Sequence, residues 1–348
     1  MPPIVRRADD ADRPAWDAFV DLRPEADLLQ AWGWGECMAL AGEPPHRILV
    51  EDAGAIRGVA QALLRPSGFG RQVAYVAHGP IWDRRAPDAD RIFAWLVHGL
   101  RTLARKERAI VVKLDPRAEA GDPLDFGRLA TEHDLHRAPD LQAPTTRIVD
   151  LLDGAEELEA SWHADARRLS RRAEREGTTV SISTTPDRTE ISVLHDLLER
   201  AAARAEFRVR SPEFLERMAK EFTRSDGWFL GIARVEGQPI AAMAFPHVGD
   251  RAYYLYGAVL REDRYKHNYG SHAVMATMLK TLAANGVSSV DMWGVVEPDD
   301  TDADPAWMGF SDFKRTFGGE PLRHPGLYDL VTSPLWYRLR DLRSRLPG

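Results

Sequence analysis

A chain of 348 residues with one cysteine, Cys37, cannot be organised by internal disulfides or by a cysteine-based metal cluster, and a lone thiol fits a reducing compartment. No apolar run approaches the roughly 20 residues that span a bilayer. The opening Met1-Pro2-Pro3-Ile4-Val5-Arg6-Arg7-Ala8-Asp9-Asp10 turns acidic where a secretory signal would turn apolar. A cytoplasmic location is expected, with no membrane span but with room for transient contact with a membrane surface. Positive charge is not in excess: 46 Lys and Arg stand against 53 Asp and Glu, a net charge of −7. DNA binding and general nucleic-acid coating are thereby excluded, and any RNA contact requires a local basic patch. Neither a Gly-x-Ser-x-Gly nucleophile elbow nor a Walker loop occurs, which argues against hydrolase and nucleotide-hydrolysing chemistry. His267 and His272 are five apart, not at the i, i+4 spacing of helical ligands, and no metal site is expected.

What is present is an ordinary apolar fraction, 44%, with 28% charged residues, in a chain long enough for two domains. The order of elements repeats. In the first half His46–Glu51, Ile56–Arg65 and Gln72–Ala77 read as short strands separated by turn-forming residues, followed by a helix, Ala89–Lys106, and an apolar strand, Ala109–Leu114. In the second half strands Trp228–Val235, Ile240–Val248 and Arg251–Val259 precede a helix, Ser271–Asn285, and a strand, Val287–Trp293. Both halves run β-β-β-α-β, the mark of a duplicated α/β unit.

A helix expected over Leu158–Glu176 carries Trp162, Ala166, Leu169 and Ala173 as one apolar stripe, with Arg167, Arg168, Arg171, Arg172 and Arg175 on the opposite flank. From charge pattern alone this is either a solvated face or a phosphate-binding stripe, arginine forks being suited to phosphate oxygens. The segment Gly309-Phe310-Ser311-Asp312-Phe313-Lys314-Arg315-Thr316-Phe317-Gly318-Gly319 holds one lysine among aromatics before a Gly-Gly that permits positive φ. Lys314 is either a surface lysine between core phenylalanines or an ammonium aimed into a cleft, where it could meet a developing oxyanion. The acidic run Pro298–Asp304 reads as a solvated loop close enough in sequence to Lys314 to act as a lid.

These motifs, in their order over most of the chain, resemble the FemABX family of aminoacyltransferases. The resemblance is carried by Leu28-Leu29-Gln30-Ala31-Trp32-Gly33-Trp34-Gly35-Glu36, His78-Gly79-Pro80-Ile81-Trp82-Asp83, Asp115-Pro116, Gln142-Ala143-Pro144-Thr145-Thr146, Arg171–Gly177, Tyr254-Leu255-Tyr256-Gly257-Ala258 and Phe313–Gly318. It implies two tandem GNAT-like acyltransferase domains in a compact form without a long helical arm: residues 1–150 completed by 320–348, and residues 151–319. It further implies transfer of an amino acid from aminoacyl-tRNA, a substrate and not a cofactor, to an amine. The acceptor is a nucleotide- or lipid-linked muropeptide precursor of peptidoglycan, or a small amine in a secondary-metabolite pathway.

By the same resemblance Lys314 stabilises the tetrahedral oxyanion and Asp115 orients or deprotonates the amine, although an acid capping a strand before proline also has a structural explanation. Arg210, Tyr256, Tyr254 and Trp34 fall on the acceptor side, and the five arginines of the stripe on the tRNA. Met38 stands where relatives carry a phosphate-binding lysine. The alternative donor is acetyl-CoA, but the stretch Lys266-His267-Asn268-Tyr269-Gly270-Ser271-His272 has one glycine where a pyrophosphate needs a row of open backbone N–H groups, and Tyr269 and His272 are expected to crowd it.

Overall fold

The computed structural model describes residues 3–119, 121–151, 154–205, 208–224, 227–299 and 307–344. It divides into two units, Met1–Pro144 with Arg323–Gly348, and Thr145–Leu322. In chain order the elements are β1 (Ile4–Arg7), α1 (Arg13–Asp21), α2 (Trp32–Leu40), β2 (Pro45–Asp52), β3 (Ala55–Gly68), β4 (Arg71–Val76), β5 (Ile81–Trp82), α3 (Ala89–Lys106), β6 (Ala109–Leu114), α4 (Phe126–Glu132) and β7 (Leu135–Arg137). There follow β8 (Thr145–Asp150), α5 (Gly154–Ser161), α6 (Ala164–Arg175), β9 (Thr179–Ser183), α7 (Arg188–Ala205), α8 (Pro212–Thr223), β10 (Trp228–Val235), β11 (Gln238–Val248), β12 (Arg251–Tyr253) and β13 (Tyr256–Val259). The chain ends with α9 (Gly270–Ala284), β14 (Ser289–Gly294), α10 (Met308–Arg315), β15 (Glu320–Arg323), β16 (Tyr328–Val331) and α11 (Pro334–Ser344).

Each unit is built on one mixed sheet. The first has strand order β1-β2-β3-β4-β6-β16-β7, with β5 against β3. The hairpins β2–β3 and β3–β4 are antiparallel, and the crossover through α3 makes β4 and β6 parallel. Ile92, Phe93, Leu96, Leu100 and Leu103 recur at helical spacing on α3 and are buried on this sheet with Val50, Ala60, Ala74 and Val112. The C-terminal strand β16 enters antiparallel between β6 and β7.

The second sheet has order β15-β8-β14-β12-β11-β10-β9, with β13 also on β11. Its crossover, α9, joins strands to a parallel neighbour as α3 does, β12 and β14 being parallel. Two expectations change here. Thr145–Asp150 and Glu320–Leu322, both assigned from sequence to the first domain, belong to the second unit, in β8, which pairs with β14, and in β15 beside β8. The strand expected over Arg251–Val259 is two strands, broken at Tyr254-Leu255, whose amide N–H groups bond Asp291 O at 2.8 Å and Ala244 O at 3.3 Å. Among the described residues the longest helices, α3 and α7, have 18 residues. Asp300–Asp304 of the acidic run lie outside the described residues.

Candidate active site

In the second unit Lys314 lies in the last turn of α10 and is wholly buried. Its Nζ donates to the carbonyl of Gly294 at 2.8 Å and sits 3.6 Å from the centre of the Phe310 ring and 5.5 Å from that of Tyr254. The aromatic partners are thus Phe310, one turn earlier on the same helix, and Tyr254, not the flanking Phe313 and Phe317 that the sequence placed around the stem. Burial pulls the ammonium down to about 7, with Asp291 opposing the shift. Gly294 ends β14, where the pairing with β8 shifts register between Asp291 and Gly294. At that bulge Trp293 adopts φ 59, a left-handed conformation that costs a bulky residue of order 1 kcal/mol. It is held by its own N–H donating to Asp291 Oδ1 at 2.6 Å, and Thr146 Oγ1 hydrogen-bonds the same oxygen.

Past Lys314 the chain turns on Gly318 and Gly319, at φ 83 and 78. A Cβ on Gly319 would stand 2.6 Å from the carbonyl oxygen of Ile148, so β15 can reach β8 only through glycine. Arg147 locks the turn, donating to Gly318 O at 3.3 Å and pairing with Glu297 at 2.7 Å.

The remaining expected residues of this unit play different parts. Tyr254 is buried, stacked on Phe245 at 5.1 Å, and forms one wall of the lysine site. Tyr256 is half-buried on β13, opposite Ala244. Arg210, ahead of α8, lays its guanidinium 4.7 Å from the centre of the Phe214 ring.

The single helix expected over Leu158–Glu176 is two, α5 and α6, because Trp162 and His163 leave helical geometry. The His163 N–H bonds Thr316 O at 2.8 Å and its side chain caps α6 by accepting from Asp165 N. The stripe arginines are largely engaged: Arg167 donates to Ala160 O at 2.8 Å, Arg168 pairs with Asp165 at 2.6 Å, Arg171 with Glu159 at 2.6 Å, and Arg172 with Glu176 at 3.3 Å. Lys280, on α9 and not singled out by the sequence, also pairs with Glu159, at 2.5 Å. With Arg167 and Arg171 it lines a cavity of about 480 Å³.

The Lys266–His272 loop lines a cavity of about 300 Å³. Tyr269 and His272 form part of its wall instead of filling it. Its one glycine serves packing, since a Cβ on Gly270 would stand 2.8 Å from Ile240 Cδ1. His272 lies against Phe313 and Phe317, and burial lowers its pKa to about 4, leaving it neutral.

In the first unit Asp115 follows β6 and is buried. It accepts from the Tyr75 hydroxyl and from His78 N, each at 2.6 Å, and desolvation raises its pKa to about 6. His78 Nδ1 lies 3.0 Å from Asp27, which accepts from Arg117 at 3.0 Å. That pairing raises His78 and holds Asp27 well below the carboxylate range. The sequence pointed to Asp115 but not to Tyr75, Asp27 or Arg117; charged residues scattered over 90 positions have no local signature. Trp34 and Met38 sit on α2, both buried. The methionine that stands where the resemblance implies a lysine is therefore a core residue.

Among the described residues no group of three or more His, Cys, Asp or Glu is placed to hold a metal ion. No described helix is long and apolar enough to cross a membrane.

Residues 160–315 match the acetyltransferase (GNAT) domain family. The chain is 24% identical over 407 aligned positions to a lipid II:glycine glycyltransferase of Staphylococcus aureus (strain bovine RF122 / ET3-1), covering 95% of this chain and 94% of that protein. The crystal structure of FemX superposes with a TM-score of 0.84 at 20% identity, over 97% of this chain and 99% of that one. A tandem GNAT protein from the clavulanic acid biosynthesis pathway superposes with a TM-score of 0.56 at 16% identity, over 95% and 98%. In fold the chain is a FemX-like tandem GNAT protein.

Proposed function

We propose that this chain, FemX-like along its whole length, is an aminoacyltransferase that moves an amino acid from aminoacyl-tRNA to the amine of a lipid-linked peptidoglycan precursor, at the cytoplasmic face of a membrane. The acceptor nitrogen attacks the ester carbonyl carbon, the bond to the tRNA ribose oxygen breaks, and the proton lost by the amine ends on the released 3′-hydroxyl. The ester is already activated, so the reaction needs alignment, a neutral amine and a counter-charge for the tetrahedral oxyanion, but no cofactor.

The observation that carries the reading is the buried Lys314 ammonium, fixed by Gly294 and Phe310. A point charge held dry and immobile acts most strongly on charge that develops late. Its pKa of about 7 leaves it charged in much of the population at neutral pH, and a neighbouring oxyanion would raise that fraction. Within the first unit Asp115, near 6, is mostly ionised at neutral pH, with its two oxygens accepting from Tyr75 and His78. The named activity of the glycyltransferase relatives supports both the reaction class and the lipid-linked acceptor. The engaged arginines of α6, with Lys280, supply the basic surface proposed for the tRNA.

Acetyl-CoA is the competing donor, favoured by the cavity at the Lys266–His272 loop. Incubating the enzyme and a muropeptide precursor with a mixture of charged tRNAs and with acetyl-CoA decides between them. The expected result is deacylation of one charged tRNA that depends on the precursor, with acetyl-CoA unconsumed. Acetyl transfer in place of aminoacyl transfer would overturn the reading.

A further inference from the structure

Within the first unit, the tip of the β3–β4 hairpin and one face of α11 enclose an open groove of about 720 Å³, lined by Pro66, Phe69, Arg71, Ile110, Trp336 and Leu339, with Arg340 at its edge. Its rim is unusual for a water-facing surface. Phe69 stands at the hairpin tip between two glycines, at φ 50 and 77% exposed. On α11, Leu335 is 68% exposed and Leu339, one turn on, 47%. Scattered single apolar residues need no explanation, but Phe69 and Leu339 on one groove, with Leu335 one turn before Leu339 on the same helix, do.

The charge at this groove is equally one-sided. Arg71 lies over the Trp336 ring at 4.7 Å, and its buried Nε has no hydrogen-bond partner among the described residues. Arg340 lies over Tyr337 at 5.3 Å, and Arg108 stands beside Gly70 next to the hairpin tip. Among the described residues, those lining the groove include two arginines and no carboxylate, on a chain whose net charge is −7. Exposed Phe and Leu ringed by aromatic-stacked arginines is the composition of an interfacial membrane contact, in which apolar tips enter the acyl boundary and guanidiniums meet phosphates.

We propose that this surface, the Phe69 hairpin tip with the Leu335–Leu339 face of α11, docks onto an anionic lipid bilayer. The contact deepens the function proposed above, because a lipid-linked acceptor is confined to such a surface, and only its purpose rests on that reading. Adsorption converts a search in three dimensions into one along the membrane and raises the local acceptor concentration.

The test is sedimentation of the full chain with sucrose-loaded vesicles of phosphatidylcholine alone, or mixed equally with phosphatidylglycerol, at about 0.1 M salt. The expected result is partitioning onto the anionic vesicles only. Replacing the exposed residues together, Phe69→Ser, Leu335→Ser and Leu339→Ser, should lower partitioning about tenfold or more. Arg340→Glu should lower it roughly fivefold or more, an effect that added salt narrows. The triple variant should keep its turnover of a water-soluble nucleotide-linked muropeptide while losing turnover of the lipid-linked one in vesicles. Absence of wild-type binding to anionic vesicles, or full binding by the triple variant, would overturn the proposal. So would a lipid-free dimer that the triple variant dissolves, which would assign the groove to a second copy of the chain. Vesicle binding that follows these variants in a protein that transfers no amino acid to either precursor would support this surface and remove the aminoacyltransferase reading.

Discussion

Lys314 Nζ donates to the carbonyl of Gly294 at 2.8 Å from a position that solvent does not reach, so an ammonium is desolvated for the sake of one hydrogen bond and two aromatic faces. Its pKa falls from 10.5 to about 7. Between those values the unfolded chain holds a proton that the folded one has released, so stability rises with pH through this window. Below about 7 both states are charged and the whole penalty of burial is felt. Lys314→Met should therefore be more stable than the wild type near pH 7, by about 2–4 kcal/mol, and the difference should close towards pH ~10. Thermal unfolding of both proteins across that range measures it. A difference independent of pH would mean that the fold leaves the lysine's pKa near its unfolded value, the ammonium not being desolvated there.

Asp115 shifts the opposite way for a carboxylate, up to about 6. If it takes the amine's proton, kcat should fall as pH drops through about 6, and Asp115→Asn should remove that limb with a loss of about 10²–10⁴-fold. An asparagine variant that keeps both rate and limb would leave Asp115 as the strand cap that accepts from Tyr75 and His78.

The arginines of α6 are partly neutralised by Asp165, Glu159 and Glu176, so on the proposed function tRNA must displace these partners. Replacing Arg168 and Arg172 with Glu should weaken tRNA binding and flatten log Kd against log salt by about 0.7–0.9 per lost phosphate contact. Filter binding across a salt series reports both numbers, and an unchanged slope would return the helix to a solvated face.

Met38 is the residue where the resemblance leads one to expect a lysine and its burial refuses one. Met38→Lys should destabilise the fold by about 3–5 kcal/mol, through an unpaired buried charge, without tightening a nucleotide-linked muropeptide. Tighter binding at full stability would show that α2 opens to the acceptor.

What was legible in the sequence was whatever repeats locally. The period of α3 gave Ala89–Lys106 to the residue, and the apolar run gave β6. Periodicity failed where a tertiary bond overrides it: His163 donates to Thr316 and splits one helix into two, and Leu255 donates to Ala244 where a strand should continue. β8 was assigned to the wrong unit because a six-residue strand does not state which sheet it will join. At the site, Lys314 stood out through its aromatic neighbours, but its actual partners are a backbone carbonyl at a bulge and a ring one turn away. A carbonyl has no letter in the sequence, and Phe310 is singled out from Phe313 and Phe317 only once α10 has wound.

The mechanistic role of Lys314 is tested by the timing of charge. In the bound ester the carbonyl oxygen is nearly neutral, and in the tetrahedral intermediate it carries most of a negative charge, so an ammonium fixed beside it acts on the transition state more than on binding. Lys314→Met keeps an unbranched apolar side chain in the buried position and removes the charge. Turnover should fall about 10²–10³-fold, the effect of losing one oxyanion donor, while KM changes little. Wild-type kcat should also decline above about pH 7 as the ammonium deprotonates, a limb that the methionine variant lacks. Arginine should rescue poorly, because a planar fork does not fit a site shaped for a point charge 2.8 Å from Gly294 O and 3.6 Å from the Phe310 ring centre. Stopped-time assays with one charged tRNA, beside circular dichroism to check the fold, separate the outcomes. A folded Lys314→Met protein that turns over at the wild-type rate would take the lysine out of the chemistry and leave the rate to alignment alone.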